Sequence, residues 1–498
     1  MASPALAIKT PRRSRARLDV APWALAVAVV APLALAYLLL QPPAGDLAAA
    51  TYRSDLFARA GLQLRDDGWY AVHGHYLPGY SMLSPALGAL LGVYAVLSLS
   101  ALAAAALFGL IAQRVFGGAA ARVAAGWFAL GFGVGLLSGR VPYDLGFAIG
   151  LGSVLALMAG RTGVALVLAV LTSLASPVAG AFLALAGLAL ASTALGGPAD
   201  APAAGGSGAD DGDRRPRAAP GEGLALAAAA LAPIAVLALA FPEGGWEPFA
   251  PSVFWPALAG VLLIALLLPP GSLTPRARHV VRAGAALYAL ALIGSFALHT
   301  PVGSNSARLG ALLAGPLLAG VLWDRHRLIL CLLLPVLLYW QIETPINDEI
   351  ALAGDPSVHA AYYAPLRAQL RGLTHGGRTI VEVPLTGSHW EAANLAGHDG
   401  IALARGWERQ LDTRYASLFY GPRLRPSAYQ AWLRANRVAY VALPDVRLDE
   451  AGREEGALIA HGLPYLHEVW RSSHWRLYAL AAPLGPTSRY LPSTHHLP

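Results

Sequence analysis

Apolar positions along this chain come in long, nearly unbroken runs, not in the three-and-four spacing of a half-buried helix or the alternation of a surface strand. About 20 such residues in a helix cross roughly 30 Å of hydrocarbon. Eleven runs bounded by charge, Pro or Gly meet or approach that length: 21–40, 83–112, 123–138, 143–160, 162–176, 177–195, 223–241, 252–270, 281–299, 307–323 and 327–343. Between 123 and 195 several are short, and Gly139, Pro142 and Pro177 predict broken or re-entrant helices there. Residues 196–222 (GGPADAPAAGGSGADDGDRRPRAAPGE) are too poor in apolar side chains to fold and divide the spans into six and five. Past about residue 350 the pattern changes. TIVEVPL and VAYVALP read as short buried strands, SAYQAWLRAN as a helix and EVWRSSHWRLYAL as a hairpin. The expected fold is mostly α: a polytopic bundle of about 11 spans in two halves (21–195 and 223–343), with a small α/β domain over 350–498.

Composition agrees with that pattern, and charge adds an orientation. Hydrophobic residues make up 56% of the chain and charged ones 13%, against about 25% in soluble proteins. Basic residues gather on alternate loops. The side shared with the basic N-terminus (residues 1–20) holds 16 of them and the opposite loops only Arg53, Arg59, Arg65, Arg140 and Arg308. By the positive-inside rule the N-terminus is cytoplasmic, while loop 42–82 and everything after 343 face outward. A cleaved signal peptide is the competing reading of residues 1–41, but no small-residue cleavage site precedes Gln41. The formal charge of +7 is scattered over short loops, which argues against a nucleic-acid surface. Cys331 is the sole cysteine, so disulfide and Cys-metal chemistry are excluded, and a buried small hydrophobe is expected there. No P-loop, dinucleotide fingerprint or G-x-S-x-G elbow is present.

Loop 42–82 concentrates chemistry that the rest of the chain avoids: Asp46, Asp55, Asp66, Asp67, His73, His75, Trp69, Tyr70, Tyr76 and Tyr80. Loops this long usually carry function. ATYRSDLFARAGL has helical spacing, RDDG reads as a turn and HYLPGYS as a return to the membrane. Solvated carboxylates and interfacial aromatics account for the same residues without any chemistry. His73 and His75, two apart, share one face of an extended segment, where hydrogen bonding or sugar contact is a better fit than zinc.

A first span, PPAGDLAAATYRSDLF on the outer side, many further spans and a C-terminal extracytoplasmic domain together resemble the GT-C superfamily of integral membrane glycosyltransferases, closest to actinobacterial polytopic members of uncertain substrate. The resemblance implies transfer at the outer face of a bacterial plasma membrane, from a polyprenyl-phosphate sugar donor to a glycan or glycolipid acceptor of the cell envelope, with inversion. Asp46 matches the position of the superfamily's catalytic carboxylate, and Asp55 is the reserve. Members divide between those that use a divalent cation and those that use none, and the resemblance leaves both open.

A departing phosphate needs cations, and Arg308 and Arg140 are the outer-face candidates, with Asn305, Ser304 and His299 beside Arg308. Snorkelling at a span end is the bland alternative for both, and Asp144 at one helical turn could make Arg140 structural. His73, His75, Tyr76 and Trp69 complete the expected substrate contacts. In the C-terminal domain Trp390, Glu391, Trp407, Glu408 and Asp412 suit either a carbohydrate surface or a small core, the core for Trp407 and an open question for Trp390. The competing functions are a transporter or flippase of a lipid-linked precursor, whose ion-coupled form the scarcity of charge within the spans disfavours, and a membrane scaffold. Convergence of Asp46, Asp55, His73 and Arg308 on one cavity separates enzyme from scaffold.

Overall fold

The computed structural model describes residues 20–195, 219–242, 244–421 and 423–481. Nearly all of the N-terminal segment and of the linker, to residue 218, lies outside the described residues. The bundle is built from α1 (Pro22–Leu40), the non-spanning α2 (Gly45–Ala60) and α3 (Ser84–Leu91), then α4 (Val93–Val115), α5 (Gly118–Gly135), α6 (Val141–Met158), α7 (Thr162–Ala175) and α8 (Pro177–Ala191). After the linker come α9 (Pro220–Ala240), α10 (Pro251–Leu266), α11 (Pro275–Ala297), α12 (Arg308–Leu322) and α13 (Arg327–Leu352). Among the described residues nine helices are long and apolar enough to cross a membrane, and α7 and α10 are shorter apolar helices.

The run expected as one span at 83–112 is two helices. Gly92, at φ 83°, ends α3, whose eight residues reach only about 12 Å, and α4 starts afresh behind it. Proline opens α1, α8, α9, α10 and α11, where its missing N–H has no intrahelical partner to lose. The helices pack through small residues. At the crossing of α8 and α9 a Cβ on Gly187 would come within 2.7 Å of the Gly223 carbonyl, so only glycine permits that approach. Cys331 is exposed on the outward side of α13, not buried as expected, because that face of the helix meets no other part of the protein.

The C-terminal domain is α/β. Its sheet has the order β4-β3-β5-β7-β6, where β3 (Thr379–Glu382), β4 (Ile401–Leu403), β5 (Tyr440–Pro444), β6 (Leu466–Arg471) and β7 (Trp475–Leu480) follow the two-residue pair β1 (Arg65–Asp66) and β2 (His75–Tyr76) of loop 42–82. β3 runs parallel to β4 and β5, and the β6–β7 hairpin joins antiparallel at β5. Helices α14 (Ala360–Thr374), α15 (Glu391–Leu395), α16 (Ala416–Phe419), α17 (Pro426–Ala435) and α18 (Glu450–Ala460) complete it. Its core contains a buried ionic cluster. Arg405 donates to Glu382 at 2.8 Å and to Glu455, Tyr429 donates to Glu455 at 2.6 Å, and the guanidinium lies 3.8 Å from the Phe419 ring centre. Burial, and then the neighbouring Glu455, push the Glu382 carboxyl well above the usual range.

Loop 42–82 is the mortar between bundle and domain. α2 packs against α3 on one side and α15 on the other. Arg53 of α2 forms a two-pronged ion pair with Glu408, at 2.9 and 2.6 Å, with the two side chains 2% and 8% exposed. Its guanidinium also sits 3.7 Å from the Tyr80 ring centre and 5.2 Å from that of Trp69. Trp69, fully buried, packs edge-on to Tyr52 and lies 4.7 Å from Trp407. The first half of RDDG is the strand β1, and the chain bends, as expected of the segment, only after Asp66. Asp66 caps that bend by accepting from the Gly68 and Trp69 amides and from the Tyr52 hydroxyl, while Asp67 pairs with Arg378 of the domain. Removing one partner from a buried ion pair leaves an uncompensated charge and costs about 3–5 kcal/mol. Arg53→Ala is therefore expected to lower the thermal unfolding midpoint and to open the domain junction to proteases. Unchanged melting and unchanged cleavage would contradict this role.

Candidate active site

Asp46 lies in the first turn of α2, at the end of the bundle that carries the C-terminal domain. Two features bring arginines to it. After α5 a short 3-10 turn (Leu136–Ser138) ends at Gly139, at φ 68°, where a Cβ would lie 2.8 Å from both Ala44 and Leu47. Glycine thus lets the α5–α6 junction rest on the start of α2, and Arg140 follows directly. On the far side, the Tyr288 hydroxyl of α11 donates to the Ser306 carbonyl at 2.6 Å and accepts from the Gly310 amide at 2.9 Å, which holds the entry to α12 where Arg308 stands.

The two guanidiniums meet one carboxylate oxygen. Arg140 Nε is 3.5 Å and Arg308 Nη2 3.8 Å from Asp46 Oδ2. Arg140 Nη2 is also 3.9 Å from Asp348 Oδ2 at the end of α13, and Ser138 donates to that same oxygen at 2.8 Å. Arg308 lies 5.4 Å from the Tyr143 ring centre. Among the described residues neither guanidinium donates a hydrogen bond, and Arg140 Nε is buried without a hydrogen-bond partner. Asp46 is 45% exposed and each arginine 23%, so the cluster opens to a ligand. Ion pairs at such distances hold the charges close while leaving the donors free, as an oxyanion site requires.

Glu247, between α9 and α10, adds a further carboxylate. Ser304 reaches it at 3.5 Å, and burial pushes it up to about 7 against the pull of Arg308. Asp144 is buried in the first turn of α6. Among the described residues no group of three or more His, Cys, Asp or Glu lies close enough together to hold a metal ion.

The structure brings together Asp46, Arg140 and Arg308, with Asn305 one turn before Arg308 in the 3-10 segment Gly303–Ala307. Five expected site residues lie elsewhere. Asp55, nine residues along α2, is exposed about 180° round the helix from Asp46 and roughly 13 Å along it, near Arg59 and His398. Trp69 is sealed in the domain junction and reaches no ligand. His75 is buried beside it, its Nδ1 3.2 Å from the Trp69 carbonyl. Burial and then Arg53 hold the imidazole well below its usual pKa, and therefore neutral. His73 fastens to the Leu411 carbonyl at 3.3 Å, and Tyr76 packs on Phe241 and Arg65. In the domain Trp407 stacks on His389, Glu391 and Asp412 are buried, and Trp390 is half-buried between the bundle core and the domain core. Asp348 and Glu247 escaped the sequence analysis because each sits among ordinary span-end residues. Only the folding of α13 and of the α9–α10 loop onto the cluster distinguishes them.

Neither a protein-family profile nor a curated protein sequence matches the chain. Solved structures do. The oligosaccharyltransferase of Archaeoglobus fulgidus, tethered by a disulfide to an acceptor peptide containing the NVT sequon, superposes with a TM-score of 0.50 at 13% identity over 84% of this chain and 69% of that one. Its apo form gives 0.49 at 12% over the same shares. The same organism's AglB with an inhibitory peptide and a dolichol-phosphate gives 0.44 at 13%. The fold of this chain, a bundle of apolar helices with a C-terminal domain at one end, is similar to that of the archaeal oligosaccharyltransferase.

Proposed function

We propose that the protein is an inverting glycosyltransferase that takes a sugar from a polyprenyl-phosphate donor at the outer face of a bacterial plasma membrane and passes it to a cell-envelope glycan or glycolipid. The observation that carries this reading is the pair of guanidiniums with free donors beside an accessible carboxylate, at the domain-bearing end of the bundle. The likeness of fold supports it, and the arginine bias between loops favours an extracytoplasmic position for that end.

In this reading Arg140 and Arg308 hold the donor phosphate. Asp46 accepts the proton of the acceptor hydroxyl as its oxygen bonds to the anomeric carbon. The bond from that carbon to the phosphate oxygen breaks, and its electron pair leaves with the lipid phosphate. Attack opposite the leaving group inverts the anomeric centre. The C-terminal domain, locked to α2 through Arg53 and Glu408, bounds the space from which the acceptor enters.

Asp46→Asn keeps the shape and removes the base. Transfer from polyprenyl-phosphate monosaccharides, assayed with the purified protein in lipid vesicles, is expected to fall by about 10²- to 10⁴-fold while donor binding persists. Undiminished turnover would exclude the role. Arg308→Ala is expected to weaken donor binding by about 1.5–3 kcal/mol, the worth of a charged hydrogen bond, with equilibrium binding of the labelled donor as the measurement.

A further inference from the structure

Asp348 has no part in the transfer described above, yet it occupies a definite place beside Arg140. Its Oδ2 accepts from Ser138 at 2.8 Å, so the carboxylate is fixed by the turn that also delivers Arg140. The same oxygen is 3.9 Å from Arg140 Nη2, within ion-pair reach but too far for a hydrogen bond. Arg140 is therefore drawn by two carboxylates on different helices, Asp46 on α2 and Asp348 on α13, and is bonded to neither. A phosphate seated on Arg140 would lie within a few ångströms of a negative charge that Ser138 helps to hold in place. An anion site that also turns its product loose needs such a competitor, because two free arginines alone would hold a phosphate dianion longest after the sugar has left.

We infer that Asp348 is a competing counterion for Arg140 that weakens the site's grip on the spent lipid phosphate and so speeds its release. The inference rests on the phosphate reading of Arg140 and Arg308 given above. Asp348 is a positioning residue, acting through Arg140 and touching neither reacting atom. Its carboxylate is 40% exposed, so water screens part of the repulsion and the effect is moderate.

The test uses farnesyl phosphate as a soluble mimic of the released lipid phosphate, and inorganic phosphate to separate headgroup from lipid binding, titrated calorimetrically into the full-length protein in detergent. Asp348→Asn retains an acceptor for Ser138 and removes only the charge. It is expected to bind farnesyl phosphate about tenfold more tightly, a gain that misfolding does not produce. Inorganic phosphate should shift in the same direction. In the Arg140→Ala background the gain should vanish, since the two residues act as a pair. With a sugar donor, Asp348→Asn should lower kcat and donor KM together, the signature of slowed release. Equal or weaker farnesyl phosphate binding, or a gain that survives in Arg140→Ala, would overturn the inference while leaving the phosphate site intact. If Arg140→Ala and Arg308→Ala each bind farnesyl phosphate as the wild type does, the phosphate reading itself fails, and this one with it.

Discussion

The ion pair between Arg53 and Glu408 governs the architecture, because it joins two parts of the protein that the chain keeps 355 residues apart. Sealed from water, it is strong only if both charges stay matched and all their neighbours stay in place. Tyr80 and Trp69 supply that enclosure with ring faces that suit a guanidinium, and Trp407 packs against Trp69. With Arg53 pinned, the orientation of α2 is set, and the direction in which Asp46 points is set with it.

From that anchor the helix works at both ends. Its middle belongs to the C-terminal domain through the Arg53 ion pair and through Tyr52, which packs in the domain's apolar core, and its first turn belongs to the bundle through Asp46. The contrast between the two arginine environments is chemical. Arg53 has a close two-pronged carboxylate and is spent on structure. Arg140 and Arg308 stand at ion-pair distance with their hydrogen-bond donors free, and so remain able to bind an anion. The same residue type is thus tied up in one place and left with free donors in the other, decided by the distance to its carboxylate.

Much of this was legible beforehand, and the failures share a cause. The spans, the strands TIVEVPL and VAYVALP and the β6–β7 hairpin are written in apolar runs of characteristic length, which depend on local composition. The junction of Asp46, Arg140 and Arg308 was reachable because arginines are scarce in those loops. The aromatic and histidine-rich part of loop 42–82 misled, since a cluster of Trp, Tyr and His serves equally well as a ligand surface or as a core. Trp69 and His75 turned out to be core because the C-terminal domain closes over them. The run at 83–112 misled for another reason: a single glycine at positive φ splits it without altering its hydropathy.

The sequence by itself determined that the chain is a bundle of apolar helices followed by an α/β domain, because burial in hydrocarbon and burial in a small core each demand their own local pattern. Only the tertiary structure decided which charges meet. Pairing between residues hundreds of positions apart depends on helix packing, on the close approach at Gly139 and on the docking of the domain against α2. None of these leaves a periodic trace in the chain, so Asp348 and Glu247 became visible at the site only once the fold had brought them there.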